Sequence, residues 1–228
     1  DKYKNKYKIG SHRLLNWDYS SNALYFLTIV TQNRECILGD IVSGEINLSE
    51  MGKIVENEFL KSFEIRNELF LNEYIIMPNH LHMIVEICHP GNESNGLIDD
   101  VKSKGDNVKP DGYVVEPHGR AVLQPNRVVF QSGGAVQQLQ SIKPNRPVRL
   151  PKSISSFIAG FKSAVNTKID DYIDEHHLSI PKYNKQNHFF QPNYHDHIIR
   201  NDFEYQRIAD YIIQNPAMWE NDKLNHKK

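Results

Sequence analysis

Residues 69–87 read LFLNEYIIMPNHLHMIVEI, which is two apolar runs on either side of Pro78 and Asn79. Proline followed by asparagine is typical of a tight turn, so 69–77 and 81–87 are predicted to be two antiparallel strands. This hairpin is the first predicted element of an antiparallel sheet.

Upstream of the hairpin, residues 22–31 (NALYFLTIVT) are rich in aromatic and β-branched residues. This composition predicts a strand that is buried, or nearly buried, on both faces. Asn47 and Glu50 have the spacing of a capping box, and apolar residues follow at helical spacing from Met51 to Phe59. The sequence therefore predicts a strand and then a helix before the hairpin.

Downstream, Ser153 is the expected N-cap of a helix whose apolar face runs from Ile154 to Ile169, and a strand is predicted around 188–199. A second capping box, Asn201 with Glu204, opens a last helix that is predicted to stop at Pro216. The order is strand, helix, strand, strand, helix, strand, helix. It predicts an α+β fold, a ferredoxin-like antiparallel sheet with helices on one face plus a C-terminal helix carrying Tyr211.

Residues 89–151 differ in composition from the rest of the chain. They hold seven of the 12 glycines and seven of the 11 prolines, and their aromatic residues are Tyr113 and Phe130. Such a composition buries too little apolar surface to offset the entropy of ordering it. We predict one domain made of residues 1–88 and 152–228, interrupted by an inserted flexible or partly ordered loop at 89–151.

Bulk composition limits the class of protein. A hydrophobic fraction of 39% and a charged fraction of 24% are typical of a globular chain. No run approaches the roughly 18 apolar residues of a membrane span, and no secretory signal is visible, so we expect no membrane partner and a cytoplasmic location. Cys36 and Cys88 lack metal-type spacing. The net charge of −1 argues against non-specific nucleic-acid binding over the whole surface.

His80 and His82 begin the second strand of the hairpin. Because side chains alternate along a strand, both imidazoles are expected on one face, while Leu81 and Met83 point into the core. Two imidazoles so placed can share one divalent cation. The alternative is a pair of polar residues on the solvent face of a half-buried sheet, and spacing alone leaves both interpretations open.

Two other histidine pairs serve as a comparison. His195 and His197 flank a charged residue, so they lack the apolar anchor that fixes the face of a strand. The adjacent His176 and His177 cannot share a face on a helix or a strand. We interpret both pairs as surface or structural histidines.

Tyr211 and Asn215 are four residues apart, so on a helix their side chains lie one turn from each other on one face. A phenol that attacks a phosphodiester needs a nearby cation, and an amide oxygen one turn away could complete that cation's coordination. The alternative is a helical tyrosine that packs in a core or interface, with Asn215 ending the helix before Pro216.

Taken together, these residues resemble the REP-associated tyrosine transposases, which belong to the HUH single-tyrosine, IS200-like transposases. The resemblance covers nearly all of the chain outside 89–151, and PNHLH followed at a distance by YIxxNP is its most specific part. The matching stretches are Asn16–Tyr19, Tyr25–Arg34, Met77–His82, Ile158–Lys162, Gln191–Arg200 and Asp210–Pro216.

The resemblance implies roles for individual residues. His80 and His82 would be the metal-binding pair, and Tyr211, not Tyr194, would be the nucleophile. Asn215 stands where single-tyrosine relatives carry an amide as third ligand, although several of them have the longer glutamine there. Further candidates, for phosphate contacts, are Arg13, Lys162 and Arg200, for which a solvated surface is the alternative.

The implied activity is cutting and rejoining of single-stranded, hairpin-containing DNA, such as REP-like repeats, through a 5′-phosphotyrosine link with Mg²⁺ or Mn²⁺. The enzyme would act as a monomer or a homodimer. Two other functions stay open at this point. One is a non-catalytic module that binds single-stranded nucleic acid. The other is a metal-dependent phosphodiesterase in which water attacks in place of Tyr211.

Overall fold

The computed structural model describes residue 14, residues 17–89 and residues 150–225, together with the backbone of four two-residue strands outside those ranges. The short strands pair as Lys2–Tyr3 with Tyr7–Lys8 and as Val115–Glu116 with Arg120–Ala121. Arg13 and nearly all of the predicted insertion at 89–151 lie outside the described residues.

Six strands and three α-helices make up the body of the fold. In chain order they are β1 (Ala23–Val30), β2 (Gly39–Val42), β3 (Glu45–Leu48), α1 (Glu50–Glu64), β4 (Leu69–Met77), β5 (His80–Ile87), α2 (Ile154–Glu175), β6 (His195–Ile199) and α3 (Asp202–Gln214). Two short 3-10 helices occur in addition, at Gln32–Arg34 and Trp219–Asn221.

The main sheet has the strand order β6-β1-β5-β4, and every neighbouring pair is antiparallel. With α1 and α2 as the two connecting helices, this is the ferredoxin-like order of strands and helices. The predicted α+β fold class is therefore confirmed. Strands from both sides of residues 89–151 share this one sheet.

The sheet separates two apolar clusters, which is why its strands are apolar on both faces. On one face, side chains such as Tyr25, Leu81 and Met83 pack with residues of α1 and α2. On the other face, Leu24 and Ile84 pack with Ile208 and Ile212 of α3. The C-terminal helix is thus held against the sheet face opposite to the other two helices.

The tight turn at Pro78 and Asn79 is confirmed. Met77 pairs directly with His80, so two residues connect β4 to β5. Asn79 is fully buried, and its backbone carbonyl accepts hydrogen bonds from the amide and the hydroxyl of Thr31. This turn therefore sets where β5 begins, and with it the face on which the side chains of β5 lie.

The start of α1 differs from the prediction. Ser49 is the N-cap, and its hydroxyl accepts from the amide of Gly52. Asn47 instead lies in β3, which pairs with β2 through a two-residue turn at Ser43 and Gly44. Both turn residues have positive φ, 55° and 81°, as this hairpin type requires. The prediction of a capping box at Asn47 was wrong because Asn47 is paired in a strand.

The other helix caps follow the sequence more closely. Ser153 and Ser156 form a reciprocal capping box at the start of α2. Asn201 caps α3 by accepting from the amide of Glu204, but the Glu204 carboxylate binds the amide of Arg200 and not that of Asn201. The last strand is shorter than predicted and covers only 195–199.

Candidate metal and tyrosine site

His80 and His82 lie side by side at the start of β5, on the face of the sheet that α3 covers. Their ring centroids are 4.5 Å apart. Their exposed fractions are only 0% and 4%, so they are not polar residues on a solvent face. Leu81 and Met83 point into the α1–α2 cluster on the other face, as the alternation along the strand predicts.

Hydrogen bonds to Nδ1 orient both rings. The side-chain oxygen of Asn79 lies 2.7 Å from Nδ1 of His80, and the hydroxyl of Thr28 lies 2.8 Å from Nδ1 of His82. A carboxamide oxygen can only accept, so Nδ1 of His80 carries the hydrogen and its Nε2 keeps a lone pair. That Nε2 is buried and has no hydrogen-bond partner among the described residues. This is the arrangement of a metal-ligating histidine with its outer partner.

Both imidazoles are neutral at neutral pH. Burial lowers the pKa of His80 to about 3. Burial, and then the neighbouring His80, lower the pKa of His82 well below its usual value, although the negative charge of Asp222 opposes this shift. Neutral imidazoles offer lone pairs to a cation, so the environment that disfavours protonation keeps both rings ready to bind one.

Tyr211 reaches the histidine pair from α3. Its hydroxyl oxygen Oη lies 3.1 Å from Nε2 of His82, and its ring meets the His82 ring at a centroid distance of 5.1 Å. The side chain is 47% exposed, so one side of the phenol faces solvent. Tyr211 thus lies on a helix, as predicted, and its side chain contacts the histidine pair on β5 directly.

The phenol is protonated in this environment. Burial raises the pKa of Tyr211, the nearby Asp222 raises it further, and a hydrogen bond from Asn215 lowers it. The Thr28 hydroxyl can donate to or accept from Nδ1 of His82, and when it accepts, Nε2 of His82 is the acceptor for the hydroxyl hydrogen of Tyr211. A neutral phenol is a weak nucleophile, so attack on phosphorus requires that its proton be removed.

Asn215 is the C-cap of α3 and is buried, with an exposed fraction of 2%. Its backbone is helical (φ −55°, ψ −43°), although it precedes Pro216. The preference of a residue before proline for extended backbone is overridden here by the packing of the helix end. Its side-chain oxygen Oδ1 is buried without a hydrogen-bond partner among the described residues. That atom is available to a cation.

Asp222 is the carboxylate that the sequence did not suggest. His80, His82 and Asp222 offer ligand atoms that all lie within 4.8 Å of one another. Asp222 follows α3 by a turn and a short 3-10 helix, and it is half-buried. No pattern in the sequence marks it, because its approach to the histidines depends on how the chain folds back after Asn215.

Three contacts hold the returning segment that carries Asp222. The side-chain nitrogen of Asn79 donates to the carbonyl of Leu224 at 2.8 Å, and the Arg34 guanidinium donates to the carbonyl of Lys223 at 3.3 Å. The ring of Trp219, which is buried, lies 6.1 Å from the His80 ring. Asn79 therefore orients a ring of the pair and anchors the segment that brings the carboxylate.

The donor set suits a divalent cation such as Mg²⁺ or Mn²⁺. Two imidazole nitrogens, one carboxylate and one amide oxygen are ligand types that Mn²⁺ accepts, and Mg²⁺ prefers the oxygens. The unpartnered atoms Nε2 of His80 and Oδ1 of Asn215 are both buried, which is costly unless something binds them. The residues present thus fit the predicted metal.

Of the predicted phosphate contacts, Lys162 and Arg200 are not brought to this site. The Lys162 ammonium, on α2, donates to the Gln191 carbonyl at 2.6 Å, and burial lowers its pKa to about 8. Arg200 follows β6 at the end of the sheet opposite to His80. Arg13 lies outside the described residues. Lys162 thus has a structural contact within the fold, and its contact to DNA stays a prediction.

Tyr194, His195 and His197, the residues compared with the site in the sequence analysis, also have defined places in the fold. Tyr194 packs against the α1–α2 cluster, on the opposite side of the sheet from Tyr211. His195 and His197, however, do lie on a strand, β6, on the face of the histidine pair. His197 contacts the Glu204 carboxylate at 2.7 Å, whereas His195 is exposed. His195 is thus at the surface and His197 has a structural contact, as the interpretation from the sequence has them, and both lie on the face of the histidine pair.

A comparison with known proteins finds a relative that matches nearly the whole chain. No family model matches the chain. An uncharacterized protein of Haemophilus influenzae is 28% identical over 227 residues, which cover 96% of this chain and 97% of that protein.

Two solved structures are similar at low identity. One is a REP-associated tyrosine transposase bound to a REP hairpin, with 16% identity, a TM-score of 0.47, and coverage of 94% of this chain and 77% of that one. The other is a candidate transposase from Deinococcus radiodurans R1, with 14% identity, a TM-score of 0.38, and coverage of 92% and 97%. No helix within the described ranges is both long and apolar enough to cross a membrane.

Proposed function

We propose that this chain is a metal-dependent DNA transposase of the HUH single-tyrosine kind, of the REP-associated type, that cuts and rejoins single-stranded DNA. One observation carries the proposal: the Tyr211 hydroxyl lies 3.1 Å from Nε2 of His82. The contact places a phenol oxygen at a buried histidine pair with a carboxylate nearby, so a nucleophile and candidate cation ligands lie together. The proposal treats residues 1–88 and 152–228 as one catalytic domain.

His80 and His82 would hold the cation through their Nε2 atoms, and Asp222 would supply the third ligand. Asn215 would then be an additional oxygen ligand, since its Oδ1 atom is buried and has no hydrogen-bond partner among the described residues. When bound, the cation polarises the scissile phosphate and stabilises the charge that develops on its oxygens. The sequence predicts Asn215 as the third ligand, whereas in this proposal Asp222 and Asn215 would both bind the cation.

Tyr211 would attack the phosphorus of the scissile phosphodiester. A bond forms between its phenol oxygen and phosphorus, and the bond between phosphorus and the 3′ oxygen breaks. The phenol proton passes to solvent water, the departing oxygen takes a proton from solvent to become a 3′-hydroxyl, and the 5′ phosphate stays linked to Tyr211. A second 3′-hydroxyl can reverse the step, so strands are joined without ATP.

The contact between Tyr211 and His82 suggests how the nucleophile is controlled. Nε2 of His82 has one lone pair, so it cannot bind a cation and accept the phenol hydrogen at the same time. Without a cation, the 3.1 Å contact keeps the phenol proton in place. With His82 engaged as a ligand, Tyr211 is free to turn toward the strand.

The proposed substrate is single-stranded DNA that contains a hairpin, such as a REP-like repeat, in the bacterial cytoplasm. Tyr211 and the histidine pair of the same chain lie in contact, which supports a site that one chain completes by itself. A homodimer that exchanges its last helices is not needed for this site. The exposed side of Tyr211, 47% of its surface, leaves room for a strand to approach.

The test is formation of a covalent protein–DNA adduct. The protein is incubated with a labelled single-stranded oligonucleotide that carries a REP-like hairpin, with Mg²⁺ or Mn²⁺ or with EDTA. A band that survives denaturant is expected only with the metal. Tyr211→Phe should abolish it, and Tyr194→Phe, the matched control, should keep it.

Other outcomes would contradict the proposal. Hydrolysed ends without an adduct indicate that water attacks. Binding without cleavage that is unchanged by EDTA and by His80→Ala indicates a binding module. Loss of the adduct in Tyr194→Phe but not in Tyr211→Phe would move the nucleophile to the other face of the sheet.

A further inference from the structure

His195 occupies a position next to the site that the proposed chemistry does not use. It begins β6 and pairs with Thr28 of β1, and Thr28 pairs in turn with His82 of β5. Directly paired residues project from the same face of a sheet, so the three side chains form one row. Two inter-strand spacings place the backbone of His195 roughly 10 Å from that of His82.

Phe26 connects His195 to the site. Its ring centroid lies 6.3 Å from the His195 ring, 5.4 Å from the His82 ring and 6.3 Å from the Tyr211 ring. Both tyrosine and His195 meet it edge-to-face, at 85° and 74°. His195 therefore has a defined place, separated from the nucleophile by one aromatic ring.

The exposure and hydrogen bonding of His195 differ from those of the buried His80 and His82. His195 is exposed, and no hydrogen bond to another described residue occupies its ring nitrogens. His197, two residues on and on the same face, is instead held by Glu204 at 2.7 Å. The His195 imidazole can therefore contact a molecule that binds at the exposed side of Tyr211.

A DNA strand at Tyr211 must place further phosphates on either side of the one that reacts. The other described candidates for phosphate binding lie elsewhere, Lys162 on the α2 side of the sheet and Arg200 at its opposite end. An imidazole N–H is a hydrogen-bond donor of the right size for a phosphate oxygen. On the chemistry of Tyr211 proposed above, we infer that His195 binds a phosphate of the DNA strand next to the scissile one.

The first test measures binding and reaction separately. The rate of adduct formation is followed against the concentration of oligonucleotide for the wild type, His195→Ala and His195→Gln. His195→Ala should raise the half-saturating concentration about tenfold, the size of one lost hydrogen bond to a charged group, and change the maximal rate little. His195→Gln, which keeps a donor, should recover most of the affinity.

The matched control is His177→Asn. His177 is exposed at the end of α2 and has φ 50°, a conformation that asparagine tolerates. The His177→Asn variant should leave both the half-saturating concentration and the maximal rate unchanged. The melting temperature of each variant shows whether the fold survives, which is expected because the His195 side chain is exposed.

The second test identifies the contacted group. The phosphates flanking the cleavage position are replaced one at a time by neutral methylphosphonates. At one position the wild type should lose about tenfold in affinity, and His195→Ala should lose nothing further. If every replacement affects the two proteins equally, His195 does not bind a phosphate.

Binding of the same oligonucleotide in EDTA separates this inference from the proposed function. A wild type that reacts, with His195→Ala unchanged, overturns the role of His195 alone. A wild type that binds the strand but forms no adduct overturns the proposed function, and the methylphosphonate comparison by binding still decides the role of His195. A wild type that does not bind the strand overturns both.

Discussion

The side-chain oxygen of Asn79 lies 2.7 Å from Nδ1 of His80, so a turn residue sets the orientation of a buried imidazole. The nitrogen of the same carboxamide donates to the carbonyls of Arg34 and Leu224, at 3.0 and 2.8 Å. One side chain thereby joins the histidine pair to the segment that carries Asp222. The affinity of the proposed cation site therefore depends on Asn79.

Asn79→Ala is expected to weaken Mn²⁺ binding about 10- to 100-fold, the usual cost of losing the outer partner of a ligating histidine. The His80 ring loses its orientation, and the Asp222 segment loses an anchor. Isothermal titration of the protein with Mn²⁺ measures the effect. Asn72→Ala, near the other end of the same hairpin, is the control and should bind normally. Equal affinities for the two variants would contradict the role of Asn79.

Asp222→Asn tests which residue completes the metal site. Removing a charged oxygen ligand should weaken Mn²⁺ binding at least about tenfold, and Asn215→Ala should have the smaller effect because a neutral amide binds a cation less strongly. Asp210→Asn, an exposed carboxylate on α3 that binds Gln206, serves as the control. A larger loss in Asn215→Ala than in Asp222→Asn would restore Asn215 as the main third ligand.

The buried histidines predict a stability that falls in acid when no metal is present. Burial lowers the pKa of His80 to about 3, below the 6.5 of an unfolded histidine. Between these values the unfolded chain binds more protons than the folded one, so the free energy of unfolding falls as pH drops below 6.5 and levels off near 3. His80 alone should contribute about 2 kcal/mol of this loss between pH 7 and pH 5.

Urea unfolding in EDTA at pH 7 and pH 5 measures this loss. His80→Gln removes the titrating ring, so its stability should change less between the two pH values than that of the wild type. His177→Asn removes an exposed ring and should keep the full dependence. A His80→Gln variant with the wild-type pH dependence would show that His80 is not the source.

Lys162→Met tests whether Lys162 has a structural role or the predicted contact to DNA. The ammonium donates to the carbonyl of Gln191 at 2.6 Å, and that residue is bonded in turn to the end of β1. Its loss should lower the free energy of unfolding by about 1–3 kcal/mol and leave the affinity for single-stranded DNA unchanged. Lys168→Met, which removes an exposed pair with Asp171, should change stability little. Weakened DNA binding in Lys162→Met alone would restore the original prediction.

Local patterns in the sequence were enough for most of the fold. The alternation in β5 predicted that His80 and His82 share a face, and helical spacing predicted the same for Tyr211 and Asn215, because both depend on residues close in the chain. The caps at Ser153 and Asn201 follow from the same kind of short-range pattern. Where a local pattern met a competing partner, as at Asn47 in β3, the prediction failed.

Tertiary structure alone decided what meets at the site. The sequence determined a histidine pair on a strand and a tyrosine on a helix, each as a separate element. That α3 covers the face with the histidines, that the chain then returns Asp222 to them, and that β6 sets His195 in their row all depend on which apolar surfaces pack together. The free energy gained by burying apolar surface depends on the area that is buried and not on which parts of the chain supply it. Contacts between residues far apart in the sequence therefore cannot be predicted from local sequence patterns.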